Sequence, residues 1–100
     1  MEYRILKLSY DGTLHEIWSN HEDLSTHFDG DFTFCGAIHE CYAFAICSLN
    51  QIDKPANIFS QIFNDFFDTC NGDIILVGSD MNGMACDLDI DKLYDILQVI

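Results

Sequence analysis

Two short runs, residues 41–49 (CYAFAICSL) and 73–78 (DIILVG), are apolar at nearly every position. A strand with one wet face alternates polar and apolar residues, so a run without that alternation is covered on both faces. Both runs therefore read as buried strands, and 41–49 is placed centrally in a sheet. Everything else in the chain has to be arranged around that requirement.

The flanking segments supply the partners. Residues 3–9 (YRILKLS) partly alternate like a strand, Asp11-Gly12 is a turn signal, and 14–18 (LHEIW) can pair back as a hairpin. Ser19 with Glu22 three residues later resembles a capping box, which predicts a short helix over 20–28 closed by Gly30. Residues 31–38 read as a strand joined to 40–49 by a turn near Ile38-His39-Glu40. Pro55 opens a helix, where its missing N–H costs nothing. Ile58, Phe59, Ile62, Phe63, Phe66 and Phe67 then form a wide stripe at helical spacing, ended by Asn71-Gly72. Residues 80–83 read as a turn and 84–88 as a strand. A last helix starts near 90, with Leu93, Ile96, Leu97 and Ile100 on one face. The expected fold is α+β: a mainly antiparallel sheet of about five or six strands with two or three helices packed on it.

At 100 residues the chain fits a single domain, 1–100. Hydrophobic residues make up 49%, eight of them Phe, which is enough apolar surface to offset ordering entropy. Charge is the outlier: 17 Asp and Glu against 4 Lys and Arg give a formal net charge of −13. Such a load favours solubility, opposes compaction by self-repulsion and attracts basic partners. Direct binding of nucleic acid or an anionic membrane is disfavoured, since both need a basic footprint. The five cysteines, an odd number at irregular spacing, do not read as a disulfide framework and suit a reducing, cytoplasmic setting. The N-terminus lacks a signal-peptide pattern, and no apolar run approaches the length of a membrane span.

Recognisable catalytic machinery is missing. The chain has no nucleophile elbow, no phosphate-binding glycine loop and no zinc-protease motif, so neither an enzyme nor a cofactor site is expected. Cys35, His39 and Cys41 form a C-x3-H-x-C cluster of zinc-ligand types, but no second Cys pair completes a tetrahedron. Buried thiols plus a turn histidine are the simpler reading, and no metal site is expected. His15, His21 and His27 read as surface residues beside carboxylates. Asp87, Asp89 and Asp91 fail as a calcium loop, because the required Gly and late Glu are missing. As a strand end they would line one face at about 6.6 Å intervals. That is close to two nucleic-acid steps of about 3.4 Å. The simpler alternative makes Asp89 a helix cap and puts Asp91 in the first turn of that helix.

Over residues 3–79 the order of landmarks resembles a small domain family of unknown function found in phages and mobile elements. The landmarks are Asp11-Gly12, Phe28-Asp29-Gly30, Leu49-Asn50, Pro55-Ala56-Asn57 and the run from Gly72 to Gly78. The Phe-rich helix and the tail from Asp80 to Ile100 depart from that pattern. In size, charge and lack of motifs the chain is also similar to the acidic anti-CRISPR and antirestriction proteins. That similarity implies a phage or mobile-element anti-defence inhibitor that blocks a basic nucleic-acid-binding surface of a host effector, by mimicry or occlusion. The expected partner is a basic host protein such as a nucleic-acid-binding nuclease. The expected contacts are Asp87, Asp89 and Asp91, with Asp80, Asp65 and Asp68 secondary. The alternative is a non-catalytic ligand-binding module, either a signalling-nucleotide sponge or a regulatory subunit. Only Arg4, Lys7, Lys54 and Lys92 are available to an anionic nucleotide, which disfavours the sponge, though a pocket at the subunit interface of a homodimer could share them.

Overall fold

The computed structural model describes residues 2–19, 31–49, 53–82 and 84–97. Two antiparallel hairpins flank a strand that comes much later in the chain. The first joins β1 (Tyr3–Leu8) to β2 (Leu14–Ser19), with Tyr3 opposite Ser19 and Leu8 opposite Leu14. Its turn is held by the Asp11 carboxylate, which accepts from the Thr13 N–H at 3.1 Å and the Thr13 hydroxyl at 2.8 Å. Those two bonds hold the Asp11 carboxyl below the usual carboxylate range. The second hairpin joins β3 (Phe32–Ile38) to β4 (Ala43–Ser48) through a 3-10 turn at His39–Cys41.

The second apolar run becomes β5 (Ile74–Ser79), which pairs antiparallel with β1 on one side and β4 on the other. The strand order is β2-β1-β5-β4-β3, and a short β6 (Ala85–Cys86) pairs with the end of β5. Both unalternating runs are thus interior strands, and the reason lies in their burial: Ile74, Ile75 and Leu76 are all inaccessible to solvent although they point alternately to opposite faces. On one face, Leu6, Leu8, Ala43, Ala45, Ile74 and Leu76 pack with Phe59 and Phe63 around α1 (Ile58–Ile62) and with Leu93 and Leu97 of α2 (Ile90–Leu97). On the other face, Tyr3, Ile5, Ile46, Ile75 and Val77 form a smaller cluster.

The expected balance of sheet and helix is not what forms. The fold is dominated by its six-stranded sheet, and the described residues contain only two short α-helices, of five and eight residues. The helix expected over 20–28 lies outside the described residues. The Phe-rich helix starts later than Pro55, at Ile58, and stops at Ile62. Its start is set by Asn57, whose side chain accepts from the N–H groups of Phe59 and Ser60. Its end has a competing partner: beyond Phe63 the chain turns and lies along the edge of β3. There the Ala37 N–H donates to Phe66 O at 3.1 Å and the Asp68 N–H to Cys35 O at 2.6 Å. An edge strand offers unpaired backbone groups, and this segment takes them in place of another helical turn. The approach requires Gly36, at a bulge in β3, because a Cβ there would collide with Phe66 O and stand 2.8 Å from Phe67 Cα. The strand read over 84–88 shortens to Ala85–Cys86.

Candidate functional site

That segment, a strap over residues 66–71, carries Cys70 onto the helix-covered face of the β3–β4 hairpin. Cys35 and Cys47 belong to the core on that face, and Cys70 packs against the same core. The Sγ atoms of Cys35, Cys47 and Cys70 lie within 4.8 Å of one another, and they are the only such group of His, Cys, Asp or Glu among the described residues. Cys35 and Cys47 are buried and Cys70 is half-buried. The strap is fixed from below. The Asn57 N–H donates to Cys70 O at 2.8 Å, and the Cys70 N–H points at the Ser60 hydroxyl, 3.4 Å away.

The three thiols titrate as one system. Hydrogen bonds from Cys35 and Cys70 pull Cys47 down to about 3. Cys35 is held far above the ordinary thiol value, by the bonds it gives to Cys47 and Cys70 and then by burial. For Cys70, the Cys35 thiol acts to lower the value, but its own bond to Cys47 and its burial outweigh that and leave it at about 11. Of the three, Cys47 is thus the thiol that ionises most readily, because its two neighbours donate to it. Sulfur is a soft donor, and three converging sulfurs form a ligand set for thiophilic metal ions.

The trio singled out in the sequence does not assemble. His39 is exposed on the 3-10 turn, and the Cys41 thiol points to Ile38 O at 3.8 Å. Burial raises the Cys41 thiol above its ordinary value, helped by the nearby Asp89 and Glu40. Of that group, only Cys35 reaches the thiol cluster. Part of the true cluster is visible in the hairpin, since Cys35 and Cys47 fall on facing strands. Cys70 stays hidden as long as 58–67 is read as one continuous helix.

The six acidic positions are all exposed, but they do not form a strand-end row. Asp87 accepts from the Arg4 N–H at 2.8 Å, just beyond β6. Asp89 caps α2, accepting from the Lys92 N–H at 3.1 Å, and Asp91 lies in the first turn. Asp80 closes the β5–β6 turn, accepting from the N–H groups of Asn82 and Met84, each at 2.9 Å. Asp65 and Asp68 lie on the strap side, one in the turns after α1 and the other on the strap itself. Each of the capping carboxylates still presents charge to solvent. Two of the four cations are already engaged, Arg4 with Glu16 at 3.8 Å and Lys7 with Asp73 at 3.4 Å.

The chain matches no family model, no curated protein and no solved structure. Among the described residues, no helix is long and apolar enough to cross a membrane.

Proposed function

We propose that this chain is a non-catalytic, acidic binding protein that occupies the basic nucleic-acid-binding surface of a host effector in the cytoplasm, as phage anti-defence inhibitors do. One observation carries the reading: a net charge of −13 is carried by a small sheet-based fold whose carboxylates, among the described residues and apart from the half-buried Asp73, are exposed, with half of the few cations tied to carboxylates. A field of one sign accelerates encounter with an oppositely charged groove and makes the complex sensitive to salt. The contacts assigned are Asp87, Asp89 and Asp91, with Asp80, Asp65 and Asp68 as a second set.

The test is capture of the partner from host lysate at low and high salt, followed by binding of the purified pair. Asparagine replacements at these six positions remove charge while keeping an oxygen that can accept the backbone bonds of Asp80, Asp87 and Asp89. The expected result is a slower association rate and a shallower salt dependence. Unchanged association in the sixfold variant would overturn the assignment, and a captured partner without a basic surface would overturn the function.

A further inference from the structure

The thiol cluster has no part in that electrostatic reading and points elsewhere. We propose that Cys35, Cys47 and Cys70 bind a single thiophilic d10 metal ion, zinc(II) or copper(I), as three thiolates. Points that lie within 4.8 Å of one another all fall within about 2.8 Å of a common centre, so each sulfur moves inward by at most about 0.5 Å to make a 2.3 Å metal–sulfur bond. Cys35 and Cys47 are held on paired strands, and Cys70 sits on a strap fixed by backbone bonds at Asn57 and β3. The site is therefore largely organised before the ion arrives, which lowers the ordering cost of binding.

The donor set selects the class of ion. It holds three sulfurs and no carboxylate or imidazole among the described residues, which excludes the hard cations calcium and magnesium. Copper(I) is satisfied by three thiolates. Zinc(II) prefers four ligands and takes a water on the half-buried Cys70 side or the hydroxyl of Ser60, which lies beside Cys70. In either case three metal–sulfur bonds form, and the protons still on the thiols leave to solvent with no change in oxidation state.

The experiment titrates the reduced chain, without oxygen, with zinc(II) and separately with copper(I) delivered from a competing chelator. Stoichiometry, the ultraviolet thiolate-to-metal charge-transfer band, proton release and melting temperature are read together. One ion per chain is expected for at least one of the two metals, with the band, proton release and a raised melting temperature. A residue that merely orients a metal ligand is worth about 10–100-fold in affinity, so deleting a ligand should cost at least the upper end of that range. Cys47→Ser and Cys70→Ala are expected to show that loss, and Cys86→Ser, away from the cluster, is expected to bind as the parent does. Circular dichroism confirms that the variants fold, and proton release by the parent chain tests the site without any substitution. Failure of both metals to bind one per chain, or full affinity in Cys70→Ala, would overturn the proposal. A chain that binds neither ion but forms a disulfide within the trio in a thiol–disulfide buffer would overturn it in favour of a redox pair.

Discussion

Asn57 is the side chain on which most local structure converges. It is completely buried, and its amide donates to Leu8 O at 2.9 Å and Gly72 O at 2.8 Å while its oxygen caps α1. It joins the end of β1, the start of α1 and the approach to β5. Asn57→Ala removes the cap and strands two buried carbonyls, so a loss of about 2–4 kcal/mol is expected in urea unfolding. Asn57→Asp keeps the cap but replaces two donors with a charge facing carbonyls, and it should be worse at pH 7 than at pH 4, where the acid can be protonated. Gly36 is the second such residue. Gly36→Ala forces the strap off β3, with an expected cost of about 1–3 kcal/mol in the same assay. Because the strap carries Cys70, that variant should also bind zinc(II) or copper(I) more weakly than the parent, which a chelator competition would measure.

At the level of elements, the sequence is readable wherever a pattern has one structural solution. The unalternating runs become interior strands, the Asp11-Gly12 turn closes a hairpin, and Leu93 and Leu97 form the buried face of α2. The Phe stripe has two solutions. Phe63 and Phe67 are buried both in a helix and in a strap crossing the same core, so spacing alone does not distinguish the two. The deciding contacts, Ala37 to Phe66 and Asp68 to Cys35, join residues far apart in sequence. The same ambiguity conceals the thiol cluster. The cap of α2 provides a test that separates structure from binding. Asp89→Ala should cost about 0.5–2 kcal/mol in stability, while Asp89→Asn should cost little, since Asn caps as well as Asp does. If Asp89→Asn nevertheless weakens partner binding, the charge itself is the contact.

Across the whole molecule, the carboxylates repel one another more than the few cations can offset. A net charge of −13 on a chain with a radius of gyration of 12.4 Å places like charges within about a Debye length, which is ~10 Å at 0.1 M salt. Added sodium chloride should therefore stabilise the fold in thermal melts, the opposite of what is expected for a fold held by surface ion pairs. Binding to a basic partner should respond to the same salt with the opposite sign. The two measurements together separate repulsion within the chain from attraction between chains.

The strand order also has a consequence in time. Each hairpin closes locally, but β5 must insert between them, and its partners on either side are strands that leave the ribosome long before it does. Until residue 79 has emerged, the inner edges of β1 and β4 have no permanent neighbour, and an unpaired edge is where chains join the wrong partner. Pairings of such long sequence separation place folding in the slow range for domains of this size, about milliseconds to seconds. The central strand that makes the finished sheet secure is thus also the last of its five long strands to be delivered, and a faster synthesis would shorten that interval.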